Sequence, residues 1–369
     1  MTLTTTRPKR ATFHALTVAA TERLTEGSVA LTFTVPAELR QDYLFEPGQH
    51  LTLRATINGE EVRQSYSICQ SRSEATASGT LRVACARIPG GRMSTWLTGS
   101  VEPGAVIDVM TPVGSFVCPI RVDVARHHVA IAAGSGITPV MSLLTTALEE
   151  EPDSRVTLLF GNRGTATIMF LEELEDLKNR FPSRFHLIHV LSREAPDAEL
   201  FHGRLDPARL RLIFASLLPV DSVDEWYLCG PYGLVIAAQE LLADLGVDAH
   251  HIHHELFFVD DGTAPATPVV VDTSAPPAAV VTVNLDGRTT VVPMPSRDES
   301  ILAATLRARP DAPFSCTGGV CGTCRARLVE GEVRMDRNYA LEPDELAAGI
   351  VLACQSHPVT DRVVLDYDA

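Results

Sequence analysis

The alternation of apolar and polar positions divides the chain into three stretches of different pattern. From about residue 10 to 122, short runs rich in Val, Ile, Leu and Thr recur: "SVALTFTVP", "QHLTLRATI", "RQSYSIC", "TLRVACARI" and "AVIDVMTPV". Turn residues ("NGE", "ASG", "PGG", "EPG") punctuate them at intervals that predict a small antiparallel barrel. From 123 to 258 the pattern changes. In "HHVAIAAGSGITPVMSLLTTALEEE" an apolar strand meets a Gly-rich turn and then a run with helical apolar spacing. "RVTLLFGNRG", "FHLIHVLSRE" and "EWYLCGPYG" read as further buried strands, with amphipathic stretches such as "MFLEELEDLKNRF" between them. Strands alternating with helices predict a parallel sheet covered on both faces. Residues 259–279, rich in Pro, Ala, Thr and Asp, have no amphipathic period and read as a semi-extended linker. A last segment, 280–369, begins with strands ("VVTVNLDGRTTVVPM") and a helix ("ESILAATLRARP").

Composition narrows this picture without changing it. A chain of 369 residues is too long for one ordinary core, so two or three domains are expected. No apolar run reaches the roughly 18 residues of a membrane helix. The N-terminal "MTLTTTRPKRATFHAL" has basic residues but no apolar stretch behind them, so no signal peptide is read and the cytoplasm is the expected location. A net charge of −15 argues against nucleic acid, whose phosphates need a basic face. Neither nucleic acid nor membrane is expected as a partner. Eight cysteines in such a compartment are not expected to form disulfides.

Half of those cysteines cluster. Cys316, Cys321, Cys324 and Cys354 share the last 54 residues, and the first three stand in "FSCTGGVCGTC". Structural zinc usually takes two short pairs, which this C-x4-C-x2-C spacing fits poorly. The spacing is that of a plant-type [2Fe–2S] cluster, with Cys354 as fourth ligand, 30 residues past Cys324. Gly318, Gly319 and Gly322 let the backbone wrap closely around an anionic cluster. The loop therefore reads as a one-electron carrier. Nicotinamide delivers electrons in pairs, so a flavin is expected to stand between the two.

The cysteine segment resembles plant-type ferredoxin domains, which implies a β-grasp fold. Downstream, "CRARLVEGEVRMDRNYALEPDELAAGIVLACQSHPVTDRVVLDYD" is similar to the reductases of oxygenases, those of phenylacetyl-CoA epoxidase complexes most of all. Upstream, "RQSYSIC", "PGGRMS", "TPVGSF", "AGSGITP", "LCGP" and "HHELF" stand in the order and rough spacing of the ferredoxin–NADP reductase superfamily. The fold this implies is multidomain: an antiparallel β-barrel for FAD, an α/β parallel sheet for NADP, and an α+β β-grasp ferredoxin domain. The route implied runs from NADPH through FAD and the [2Fe–2S] cluster to an oxygenase. By resemblance that acceptor is the di-iron complex that epoxidises phenylacetyl-CoA; a steroid 9α-hydroxylase or a Rieske ring-hydroxylating enzyme is the alternative. A redox sensor without turnover is a further one.

The resemblance also implies site residues. Tyr66 would pack on the isoalloxazine with Ser67 near its N5, and Gly91, Arg92, Met93 and Ser94 would hold the flavin pyrophosphate. Gly134, Gly136, Thr138 and Pro139 would take the nicotinamide nucleotide, Cys229, Gly230 and Pro231 would line its pocket, and Glu255 and Phe257 would close the site. "AGSGITP" is not G-x-G-x-x-G, since Pro139 takes the last position. The family's Arg-x-Tyr-Ser also departs here: Gln64 stands where the Arg would, with Arg63 one place earlier. Adjacent strand residues face opposite ways, so Arg63 needs a bulge to substitute, and either Gln64 or Arg92 is expected to meet the phosphate. Arg163, Ser192 and Arg193 follow strands at the sheet's C-terminal edge, where they could bracket a 2′-phosphate and favour NADPH over NADH. "HHIHHE", 250–255, looks like a metal tract but coincides with the final strand, and strand is the reading preferred.

Overall fold

The first six strands are β1 (Phe13–Thr25), β2 (Ser28–Thr34), β3 (His50–Ile57), β4 (Glu60–Ser67), β5 (Thr80–Ala86) and β6 (Val106–Met110). They pair antiparallel in the order β4-β3-β6-β1-β2-β5, and an Ile68–Val83 bridge joins the end of β4 back to β5. This computed structural model describes residues 11–195, 198–257 and 276–369. The β3–β4 hairpin turns on Asn58–Gly59, both at positive φ (54° and 82°), the backbone a two-residue type I′ turn needs. β1, the longest strand, escapes a simple reading of the sequence because Thr, Ala, Glu and Arg fill its outer positions; Leu16 and Val18 alone are buried. The barrel core is built from alternating residues such as Leu31, Phe33, Leu51, Leu53 and Ile107. Helices α1 (Arg72–Ser78) and α2 (Arg92–Gly99) follow β4 and β5.

The second sheet holds β7 (His127–Ala133), β8 (Arg155–Asn162), β9 (Phe185–Leu191), β10 (Glu225–Cys229) and β11 (Ile252–Glu255). All four ladders are parallel, in the order β11-β10-β7-β8-β9. Helices α3 (Ile137–Glu150), α4 (Leu171–Arg180), α5 (Pro207–Ser216) and α6 (Tyr232–Asp244) cover it. β7 and β8 are near-continuous apolar runs because both of their faces are covered. The chain winds one way from β7 to β9 and the other from β10 to β11. A crevice therefore opens beyond the ends of β7 and β10, where this topology places ligands. Ala30, Cys69 and Ala84 of the barrel pack into the core of this sheet with Ile137, Phe160 and Tyr227. The described residues of 13–257 accordingly form one compact unit, and those of 276–369 form another.

The second unit contains β12 (Ala279–Leu285), β13 (Arg288–Met294), β14 (Arg325–Glu330), β15 (Val333–Met335), β16 (Ile350–Leu352), β17 (Ser356–Pro358) and β18 (Arg362–Asp366). Five pair in the order β13-β12-β18-β14-β16, with β12–β18 parallel and the others antiparallel, while β15 and β17 form a small separate ladder. Helices α7 (Ile301–Ala308) and α8 (Pro343–Ala347) complete it. Ile301, Leu302, Ala304 and the inner residues of β12 and β18 make its core. This mixed sheet with a packed helix is the α+β β-grasp expected, beside the expected barrel and parallel sheet. The linker expected at 259–279 lies, up to residue 275, outside the described residues. Among the described residues no helix is long and apolar enough to cross a membrane.

Candidate active site and candidate metal centre

Four side chains from four strands converge at the crevice. Ser67, at the end of β4, donates its hydroxyl to Glu255 Oε2 at 3.2 Å across 188 positions of sequence. Glu255 ends β11 and stands in register with Cys229, the last residue of β10. His50 opens β3, and its Nδ1 lies 3.8 Å from Glu255 Oε1. Burial pushes the Glu255 carboxyl up to about 8, against the Ser67 hydrogen bond, and pushes His50 down to about 4. Near neutral pH this cluster therefore holds a neutral acid and a neutral imidazole. Burial also raises the Cys229 thiol well above its ordinary range, so it behaves as a packed apolar group and not as a nucleophile. Phe257 packs, partly exposed, against the adjoining core.

Around the crevice, helices begin without side-chain caps. α1, α5 and α7 are capped by Ser71, Asp206 and Ser300. By contrast α2, α3 and α6 start from Gly91, Gly136 and Pro231, with no side-chain cap. Uncapped amides and the helix dipole suit a phosphate at these starts. Gly136 is compulsory for a different reason: a Cβ there would lie 2.2 Å from the Cys229 carbonyl oxygen and 2.8 Å from Gly230 N. That contact locks the turn after β7 to the turn after β10. Gly134, at φ 55°, has open space where a side chain would stand. Thr138 is buried and donates to Ser135 O at 3.0 Å, fixing the same turn, while Pro139 sits in the first turn of α3, where its missing N–H costs nothing.

In the α2 turn, Met93 and Ser94 are buried. Ser94 Oγ accepts from Ile88 N at 3.1 Å and donates to Gly91 O at 3.2 Å, so both residues offer a ligand only backbone amides. Arg92 reaches the β3–β4 turn, bonding Ile57 O at 2.8 Å and Glu60 at 2.6 Å. Arg63 faces away from Tyr66 and Gln64. The β3–β4 ladder runs without a bulge, pairing Gln64 with Leu53 and Arg63 with Arg54. Its guanidinium is held by Glu61 at 2.9 Å and lies over the Phe13 ring. The Tyr66 hydroxyl is buried without a hydrogen-bonding oxygen or nitrogen, beside the Cys85 thiol. After β8 and β9, Ser192 N donates to Asn162 O and Arg193 N to Arg163 O (2.9 and 2.7 Å), which brings the two loops together. Among the described residues Arg163 and Arg193 have no ion-pair partner; the neighbouring Glu194 carboxylate is held by Thr165 N and Oγ1.

In the second unit the four cysteines meet. Cys316 pairs with Cys321, and Cys354 with Cys324. The Cys316 thiol is lowered to about 6 by the Cys321 hydrogen bond and by the amides of Gly318, Val320 and Cys321. Cys354 is lowered by Cys324 and by the Gly319 amide. Thr317, Gly319 and Gly322 take positive φ (53°, 81° and 66°), curling the loop so that its amides face the sulfurs. Gln355 Nε2 donates to Thr317 O at 2.8 Å and Tyr339 N to Gly319 O at 3.1 Å, pinning the curl from outside.

Comparison with known proteins agrees with this geometry. Residues 15–118 match an oxidoreductase FAD-binding domain, 130–240 an oxidoreductase NAD-binding domain, and 283–359 a 2Fe-2S iron-sulfur cluster binding domain. The chain is 43% identical to a subunit of the 1,2-phenylacetyl-CoA epoxidase of Escherichia coli K12, over 97% of this chain and 98% of that one. The chain belongs to the oxygenase-reductase branch of the ferredoxin–NADP reductase superfamily. It is also 33% identical to the ferredoxin reductase component of 3-ketosteroid-9-alpha-monooxygenase from Rhodococcus rhodochrous, over 95% of this chain and 96% of that one. In fold, phthalate dioxygenase reductase matches 96% of this reductase and 98% of its own chain, with a TM-score of 0.57 at 22% identity.

FAD, NAD(P)H and a [2Fe–2S] cluster are thus the cofactors of this reductase. The residues present fit them: four convergent thiols with inward amides suit the cluster, and uncapped helix starts suit two dinucleotides. Reading the sequence brought Ser67, Cys229 and Glu255 to one place but missed His50. The signal available was a histidine opening a strand whose next residues, "LTL", are apolar or small, in "PGQHLTL".

Proposed function

We propose that this reductase carries electrons from NADPH through FAD and its [2Fe–2S] cluster to the di-iron oxygenase of a phenylacetyl-CoA epoxidase. When bound, FAD accepts electrons in pairs and releases them singly, which joins nicotinamide to a one-electron cluster. The protein supplies positioning. Ser67 and Glu255 place a hydroxyl and a neutral acid at the head of the crevice, where both can orient a flavin ring and hold a proton. Gly136 against Cys229 sets the width left for nicotinamide. Gln64 and the amides of Gly91 to Ser94 take the flavin phosphates, with Arg92 as the nearby charge. Arg163, Ser192 and Arg193 favour a 2′-phosphate, because backbone hydrogen bonds bring their two loops together and, among the described residues, neither guanidinium has a carboxylate partner.

The observation that carries the acceptor assignment is identity of 43% along nearly the whole length of the Escherichia coli epoxidase component. The reducing interior of the cytoplasm suits its eight cysteines, four read as cluster ligands and none in a disulfide. Reconstitution tests the acceptor. The reductase is mixed with a purified phenylacetyl-CoA epoxidase oxygenase and, separately, with a 3-ketosteroid 9α-monooxygenase oxygenase. Coupled NADPH consumption and product formation are expected with the first. Coupling only with the second would replace the proposed acceptor.

A further inference from the structure

The cluster loop holds one residue under backbone strain. Thr317 stands between Cys316 and Gly318 at φ 53°, a left-handed conformation that a β-branched residue rarely takes. Such a conformation costs about 1–3 kcal/mol and persists only where neighbouring groups hold it. Here the holder is Gln355, the residue after Cys354. Its Nε2 donates to Thr317 O at 2.8 Å and to Cys354 O at 3.3 Å. Both partners are carbonyl oxygens, so the side-chain amide must present its nitrogen to them. The Gln355 backbone is fixed on both sides, with N donating to Leu352 O and O accepting from Asp336 N, each at 2.9 Å. Its side chain lies on Gly319, where a Cβ would stand 3.2 Å from Gln355 Cγ.

The carbonyl that Gln355 holds belongs to the Thr317–Gly318 peptide. A trans peptide is planar, with C=O and N–H pointing opposite ways. Drawing Thr317 O outward therefore aims the Gly318 N–H inward, and Gly318 N donates to Cys316 Sγ at 3.4 Å. The next peptide but one repeats the arrangement. Gly319 O accepts from Tyr339 N at 3.1 Å, and the Val320 amide at the other end of that peptide faces the Cys316 thiol. The two peptides differ in what holds them. A backbone N–H, which every residue but proline supplies, pins the second. A side chain pins the first, so its orientation depends on which residue occupies position 355.

A hydrogen bond to a ligand sulfur draws negative charge from it, which favours the reduced and more negative state of an iron–sulfur cluster. We propose that Gln355 is a positioning residue for the cluster. It holds the Thr317–Gly318 peptide with its N–H on Cys316 Sγ and thereby raises the reduction potential of the [2Fe–2S] centre. This role concerns the cluster alone and is independent of which oxygenase receives the electrons.

The test is a redox titration of the FAD- and cluster-loaded protein, with low-temperature electron paramagnetic resonance reporting the cluster and absorbance reporting the flavin. Gln355→Met keeps the length of the side chain and removes the donor. It should lower the cluster's midpoint potential by about 59 mV, the one-electron equivalent of the tenfold change expected for one lost charge-assisted hydrogen bond. The flavin potential should stay at the parent value. Gln355→Asn remains polar but is one methylene too short to reach Thr317 O from the same backbone, and it should shift the cluster in the same direction. An unchanged cluster potential in both variants would overturn the assignment. So would a lower cluster content at the parent potential, or loss of the cluster from both variants, since either would make Gln355 only a brace for the loop.

Discussion

The cysteine loop and the crevice are two redox sites built on opposite plans. The loop draws three of its four ligands from nine consecutive residues, 316–324, and its chemistry resides in the side chains themselves. The crevice draws Ser67, His50, Cys229 and Glu255 from four strands, and much of its binding surface is backbone at helix starts. A site of the first kind depends on its ligands and on the few positive-φ residues, Gly319 and Gly322 among them, that curl the loop around them. One of the second kind is sensitive to how closely two turns pack, even where no reactive side chain is involved.

Predictions that would break this contrast run from large to small. Cys321→Ser should reduce electron delivery to a one-electron acceptor protein to background, while NADPH-dependent reduction of FAD continues at the parent rate. Stopped-flow absorbance separates the two, and undiminished delivery would refute the route. Ser67→Ala and Glu255→Ala should each slow flavin reduction about 10²-fold with FAD still bound. Parent rates in both would remove those roles.

Glu255 also carries a pH signature. Its folded value, about 8, stands above its ordinary 4.5, so the stability it supports is complete below 4.5 and is lost as pH rises through about 8. Glu255→Gln should flatten the melting temperature over that window. Gly136→Ala should cost about 1–3 kcal/mol of stability, because the new methyl meets the Cys229 backbone, and should weaken nicotinamide binding. Arg193→Ala should lower the ratio of NADPH to NADH efficiency about tenfold, the loss of one charge-assisted hydrogen bond. Arg63→Ala should leave FAD affinity unaltered, since Arg63 lies on the face away from Tyr66, and should cost about 1–3 kcal/mol of stability, because its side chain is only 6% exposed and packs over Phe13.

The same contrast explains what could be read in advance. Cluster ligands are spaced by covalent geometry, so their chemistry is written locally. The three architectures were legible too, because alternation in "QHLTLRATI" and apolar runs in "HHVAIAA" report directly on one-faced and two-faced burial. β1 was not, since Thr, Glu and Arg at its outer positions hide the alternation of its few buried residues. His50 was not either. Nothing near it in sequence says that Glu255, 205 positions later, will stand opposite. The orientation of Arg63 was legible only as a conditional, and the unbroken register of β3 with β4 settles it. Long-range pairing sets such facts, and it leaves no local periodicity.

The electron route is the central claim, and one titration tests it most directly. NADPH is added anaerobically to the fully loaded protein while absorbance and low-temperature electron paramagnetic resonance are followed. Bleaching of the flavin band together with a rhombic reduced [2Fe–2S] signal is the expected result. Flavin bleaching with no cluster signal would mean that Cys316, Cys321, Cys324 and Cys354 do not receive those electrons, and the account would fail at its main step.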